Sequence, residues 1–420
     1  MRLGRLQRSI FSSDRDRKEA ISSTAAAMEG GRLAATAAGL WEEVRELSLG
    51  TSSRIDVLDA PPSPLAFLRD YVSANKPCLV RGSAAHWPAV ARSLWASDSY
   101  LVSAFGACRP VTLHLTPDGR ADALGPLPSS DEPDRRCFAS ACARRVPFAD
   151  ALRLVAASGG SPAPRVVAYA QEQNDCFRTA EEYGSSALAA DVEGDVTWAT
   201  AALGCAPEAV NLWVGSGRSE TSFHKDHYEN LYAVVTGEKH FLLLPPTDVH
   251  RLYVRPYPAA RYVPSDADVE VEELLDQELK LEMEEPRRYV PWCSVDPYPR
   301  TREEALRARE LFPLYFQGPR AFQCTVRAGD ILYLPSMWFH HVRQTPDSSG
   351  RTIAVNYWYD MRFDIKYAYF NFLQSIEYPS ACCSSRDAGQ SEEDDDTSHG
   401  RRHVAYDRRE VVSDDANDGE

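Results

Sequence analysis

The feature that most limits how this chain can fold is the stretch from residue 209 to 359, where short apolar runs recur between glycine and proline breaks. AVNLWVG (209–215), residues 221–226, LYAVVT (231–236), KHFLLL (239–244), GDILYL (329–334) and TIAVNYWY (352–359) are each the length of one strand. Gly237 separates two of them, and Pro245-Pro246 ends the second. Many short strands bounded by turn residues predict a sandwich or barrel of antiparallel sheets.

Upstream the pattern is mixed. Residues 31–49, 64–74 and 147–157 read as helices, and residues 76–81, 109–115 and 166–170 as strands. The expected organisation is an extension over 1–29, a helix-and-strand N-terminal part over 30–165, and a strand-rich core over 166–360. A C-terminal helix over 361–378 and a disordered acidic tail over 379–420 complete it. Within the core, residues 266–285 hold ten Asp or Glu in twenty positions and read as an acidic helical insert.

Charge and cysteine usage narrow the function. With 46 basic and 61 acidic residues the formal charge is 46 − 61 = −15. Such a surface repels phosphate backbones, so no direct nucleic-acid binding is expected, whereas a basic protein or peptide is attracted. Ten cysteines without a CxxC pair predict free thiols and no structural zinc. No apolar run is long enough to span a bilayer, and no secretory segment is present. The expected location is the cytoplasm, with nuclear access. Residues 1–27 are rich in Arg and Ser and leave organelle targeting open, although Asp14, Asp16 and Glu19 are foreign to a transit peptide.

His224-Lys225-Asp226 carries the chemistry. Read as a strand, it places His224 and Asp226 on one face and Lys225 on the other. One imidazole and one carboxylate make two-thirds of a facial triad, and the third ligand must arrive from a distant strand. LYLPSMWFHHV (332–342) offers His340 and His341. Two nitrogens and one carboxylate suit ferrous iron, and the HExxH helix of zinc hydrolases is absent. Lys239 shares its strand face with Phe241 and Leu243, where an ammonium needs an anion; a dicarboxylate co-substrate supplies one. Thr221 and Tyr169 can donate hydroxyls to it. Asn230 and Asn356 are amides in apolar runs and need buried partners.

NLWVG, TSFHKDHYENLYAVVTGEKHFLLLPP, CTVRAGDILYLPSMWFHHV and IAVNYWYDMRFDIKYAYF together resemble the jumonji-C family of 2-oxoglutarate oxygenases. The branch is the one that holds the factor-inhibiting-HIF asparaginyl hydroxylase and the small lysyl hydroxylases of developmentally regulated GTP-binding proteins. The resemblance runs over about residues 30–377 and implies a mainly-β fold, the double-stranded β-helix, a squashed barrel with iron at its mouth. It implies His224, Asp226 and His340 as the catalytic iron ligands, with His341 pointing away. It further implies Lys239, Thr221 and Tyr169 on the far carboxylate of 2-oxoglutarate, and Asn230 and Asn356 along the co-substrate pocket. The implied cofactors are Fe(II), 2-oxoglutarate and O2, and the implied reaction is C3 hydroxylation of a lysine in a GTP-binding protein. A homodimer through the C-terminal helix is also implied. Lysine or arginine demethylation, histone-tail peptidase activity and a non-catalytic scaffold stand as alternatives. No sequence feature supports the peptidase.

Overall fold

The computed structural model describes residues 36, 39–40, 42–47, 54–128, 135–179, 183–266 and 269–376. The extension expected over 1–29 and the tail expected after 379 lie outside these residues. So does most of the helix expected over 31–49, of which residues 42–47 are helical.

Two sheets build the centre. The larger one orders nine strands as Asp56–Leu58, Cys78–Val80, Ile331–Leu334, Tyr228–Thr236, Thr352–Asp360, Ala209–Gly215, Val167–Ala170, Pro110–Thr116 and Cys142–Pro147. The smaller one orders five as Phe322–Arg327, Glu238–Leu244, Phe339–Thr345, Glu220–His224 and Arg120–Ala121.

Alternation along the strands explains why the larger sheet reads as unbroken apolar runs. In Tyr228–Thr236, Leu231 and Ala233 join a core with the helical residues Phe67, Leu101, Leu152 and Val155. Tyr232 and Val234 join a second core with Phe241, Leu243 and Val342 of the smaller sheet. Helices therefore cover one face and the second sheet covers the other, so both faces are apolar. At roughly 25 cal/mol per Å2 of apolar surface removed from water, this double burial is the main force holding the strand register.

The expected mainly-β double-stranded β-helix is not what forms. The fold is mixed α/β, with several sheets and helices, and none of the sheets closes on itself. The N-terminal part adds strands at both flanks of the larger sheet: Asp56–Leu58 and Cys78–Val80 on one side, Pro110–Thr116 and Cys142–Pro147 on the other. Among the described residues the larger sheet ends at Asp56–Leu58 and Cys142–Pro147 and the smaller at Phe322–Arg327 and Arg120–Ala121, and none of these edge strands pairs with the other sheet. Nor are the sheets purely antiparallel, since Asp56–Leu58 pairs parallel to Cys78–Val80 and Arg120–Ala121 parallel to Glu220–Thr221.

A third sheet contains Ala123–Pro126, Arg136–Ser140, Arg255–Pro264 and Leu279–Met283, and Tyr289–Trp292 also pairs with Arg255–Pro264. It corrects the reading of residues 266–285 as a helical insert. The described part is one turn of 3-10 helix, Val271–Glu273, followed by the strand Leu279–Met283. Leu279, Leu281 and Met283 alternate with Lys280 and Glu282, a period of two that a helix cannot bury on one face.

The C-terminal helix forms over Ile365–Ser375, capped by the Asp364 carboxylate, which accepts from the Lys366 amide at 2.9 Å. Phe370 and Leu373 are buried, whereas Ile365 is 81% and Phe372 56% exposed. Among the described residues no helix is long and apolar enough to cross a membrane.

Candidate metal centre

The smaller sheet brings the ligands together. Glu220–His224 runs antiparallel to Phe339–Thr345, and the register sets His224 directly opposite His340. Their ring centroids are 4.1 Å apart. The strand stops at His224, so Asp226 lies in the connection to Tyr228–Thr236 rather than two places along a strand. Its position comes from that connection, whose Asp226 carbonyl accepts from the Met337 amide at 2.9 Å. The Asp226 carboxylate lies 3.6 Å from His340 Nε2 and 3.9 Å from His224 Nε2. One ligand atom from each of the three residues falls within 4.8 Å of the others.

The tautomers suit a metal. His224 Nδ1 lies 2.9 Å from the Ser222 carbonyl and His340 Nδ1 lies 3.1 Å from the Trp338 carbonyl. A carbonyl only accepts, so each Nδ1 carries the proton and each Nε2 turns a lone pair toward the centre. Burial, helped by the neighbouring His224, pushes the His340 imidazole down to about 3, which keeps it neutral. Two imidazoles and one carboxylate on one side make a 2-His-1-carboxylate facial triad, a donor set that fits ferrous iron.

His341 faces the other way. Its Nε2 meets the Glu220 carboxylate at 3.0 Å, and Arg120 reaches the same carboxylate at 3.2 Å. Strand alternation makes neighbouring residues point to opposite faces, and the register opposite His224 decides that His340 is the inner one.

A small cavity opens beside the triad, lined among others by Tyr169, Thr221, Asn230 and Asn356. Lys239 is 1% exposed, and its Nζ donates to Tyr169 Oη at 3.0 Å. Thr221 lines the same cavity as that tyrosine. No carboxylate of the described residues pairs with Lys239, and burial alone pushes its ammonium down to about 7. A buried cation with a hydroxyl partner and no anion is costly unless an anion arrives. Gly215 makes the space, since a Cβ there would lie 2.2 Å from Gln344 Nε2 and 2.9 Å from Tyr169 Cε2.

Asn230 and Asn356 line the cavity and also bond each other. Asn356 Nδ2 donates to Asn230 Oδ1 at 3.2 Å, and Trp213 Nε1 donates to Asn356 Oδ1 at 2.8 Å. All eight residues expected at the site therefore converge on one region between the two sheets. Sequence reasoning missed Trp213, Tyr232, Gln173 and Trp358, which also line the cavity. It also missed Trp292, whose ring lies parallel to His224. The alternation of 352–359, which puts Trp358 on the same face as Asn356, was the available signal for one of them.

Sheet, triad and buried lysine together define a jumonji-C type of Fe(II)- and 2-oxoglutarate-dependent oxygenase domain. Residues 64–365 match the cupin-like domain family. The chain is 56% identical over 360 residues to lysine-specific demethylase JMJ32 of Arabidopsis thaliana, covering 86% of this chain and 96% of that protein. It is 41% identical over 325 residues to the human bifunctional peptidase and (3S)-lysyl hydroxylase JMJD7, covering 77% and 89%. JmjC domain-containing protein E of Dictyostelium discoideum is 36% identical over 322 residues, covering 74% and 86%. The chain belongs to the jumonji-C, cupin-like family.

Proposed function

We propose that this protein hydroxylates a lysine side chain of a protein substrate, at C3, using Fe(II), 2-oxoglutarate and O2. The observation that carries the oxygenase chemistry is Lys239, a buried ammonium without a carboxylate partner, bonded to the Tyr169 hydroxyl of the cavity that the three metal-ligating side chains also line. His224, Asp226 and His340 would hold the iron. Lys239 would pair with the far carboxylate of 2-oxoglutarate, with Thr221 and Tyr169 adding hydrogen bonds. Bound iron supplies activation of oxygen coupled to decarboxylation of 2-oxoglutarate.

Lysine as the target is supported by two of the relatives, whose names both specify it. The net charge of −15 favours a cationic partner. Hydroxylation follows the human relative's name and the motif resemblance, which also make a GTP-binding protein the first substrate to test. A second reading, demethylation of lysine, is favoured by the name of the Arabidopsis relative, which shares more of its sequence with this chain. Both readings use the same triad.

The test is incubation with iron, 2-oxoglutarate and lysine-containing or methyl-lysine-containing peptides, followed by fragment mass spectrometry. Gain of one oxygen on unmodified lysine supports hydroxylation. Loss of a methyl group from methyl-lysine, with unmodified lysine untouched, replaces it by demethylation. Cytoplasmic location with nuclear access, and a homodimer through Ile365–Ser375, belong to the same reading. The exposed Ile365 and Phe372 support the dimer.

A further inference from the structure

The two histidine ligands are held very differently. His340 has a side chain 6% exposed, and the Trp338 that precedes it in the chain is anchored through its indole N–H to Asn75. His224 has a side chain 20% exposed and stands at the end of its strand. What backs it comes from the third sheet. Trp292, the last residue of Tyr289–Trp292, lies nearly parallel to the His224 ring, at 8° with centroids 6.2 Å apart. That is an offset stack.

The same indole also holds the residue that orients His224. Trp292 Nε1 donates to Ser222 Oγ at 3.0 Å, and Ser222 Oγ donates to the Asp122 carbonyl at 2.6 Å. The Ser222 carbonyl in turn accepts from His224 Nδ1 at 2.9 Å. Ser222 is thus clamped by its side chain while its backbone fixes the tautomer and tilt of the ligand. Phe138, also of the third sheet, packs its ring edge-on to Trp292 at 4.8 Å.

We infer that Trp292 is a positioning residue for the His224 imidazole, and that through this ring and its bond to Ser222 it sets how tightly the centre holds its metal. The inference rests on the metal-centre reading above. It gives a role to Tyr289–Trp292, the strand that pairs with Arg255–Pro264 of the third sheet. Groups that orient metal-bound histidines in this way change metal affinity or activity by about 10–100-fold when removed.

The experiment compares Trp292→Ala, Trp292→Phe, Ser222→Ala and Val290→Ala with the parent chain. Mn(II) affinity is measured by the free-ion magnetic resonance signal, the visible spectrum of Co(II)-loaded protein reports ligand geometry, and thermal unfolding reports the fold. Val290 is buried in the same strand as Trp292, so Val290→Ala measures loosening of the sheet alone. Expected are a 10–100-fold loss of Mn(II) affinity and an altered Co(II) spectrum in Trp292→Ala. Trp292→Phe, which keeps a ring and loses the donor, falls between, and Val290→Ala lowers the melting temperature with affinity and spectrum unchanged. Parent-like affinity and spectrum in Trp292→Ala overturn the inference. Where that variant does not fold, parent-like values in both Trp292→Phe and Ser222→Ala overturn it. A parent chain that binds no Mn(II) overturns the metal-centre reading itself, a separate failure.

Discussion

Replacing Lys239 with methionine should stabilise the cofactor-free protein and abolish its use of 2-oxoglutarate. Burial moves this ammonium from 10.5 to about 7, and among the described residues its partner is the uncharged Tyr169 hydroxyl. Such a displacement corresponds to about 5 kcal/mol, an upper bound since local relaxation and water reduce it. The sign follows from proton binding. Between pH 7 and 10.5 the unfolded chain holds the lysine proton and the folded chain does not, so stability rises with pH through that window. The cost is full below about pH 7 and gone above about 10.5. Lys239→Met should therefore melt higher than the parent at pH 6, by several degrees, with the gap closing toward pH 10. Methionine fills the space with an unbranched apolar chain. Calorimetry, meanwhile, should show 2-oxoglutarate affinity falling by about 100-fold or more, because an anion buried without its cation costs about 3–5 kcal/mol. In the parent, affinity should drop about fivefold from pH 7 to pH 8 as the unliganded ammonium loses its proton, and the variant should lack that dependence. A variant that melts lower than the parent at pH 6 would refute the unpaired-charge argument. An affinity loss under tenfold would refute the assignment of Lys239 to the far carboxylate.

The remaining expectations concern the triad and its frame. Asp226→Ala should eliminate the visible charge-transfer band that forms on anaerobic addition of Fe(II) and 2-oxoglutarate, with thermal unfolding near that of the parent. His340→Ala should lose Mn(II) binding in a titration, whereas His341→Ala should keep it and lose about 1–3 kcal/mol of stability in urea, because the half-buried Glu220 loses its bond to a buried imidazole. Gly215→Ala pushes a methyl group against Tyr169 and Gln344, and should weaken 2-oxoglutarate binding by about tenfold at an overpacking cost of about 1–3 kcal/mol. Ile365→Glu with Phe372→Glu should shift the sedimentation coefficient to that of a monomer; an unchanged coefficient would remove the helix from the dimer reading.

Much of the centre was legible because it is local or periodic. His224 and Asp226 are two residues apart, and Lys239 lies on a strand whose apolar pattern marks it as out of place. Thr221, Tyr169, Asn230 and Asn356 stand in strand-like runs and were assigned through motif resemblance; the structure places all four against one cavity. Period also misled. HxD was read as strand alternation, but the strand ends at His224 and a connection delivers Asp226. The ten acids of 266–285 suggested a solvated helix, whereas Leu279, Leu281 and Met283 in alternation select a strand once Arg255–Pro264 is there to pair with it.

The amino-acid order alone therefore displayed the His224–Asp226 pair, the strand-rich character of 209–359 and the need for an anion at Lys239. These depend on side-chain type and on a repeat of two, which a linear chain displays. Tertiary structure decided what depends on register and on width. It placed His340 rather than His341 opposite His224, because one step of strand register exchanges the faces. It left the sheets open where a closed barrel was expected, with strands of the N-terminal part standing at the edges of both: four on the larger sheet and Arg120–Ala121 on the smaller. And it brought Trp292, sixty-eight positions beyond His224 (292 − 224 = 68), alongside that ligand's ring, through strand pairing that no periodicity near either residue encodes.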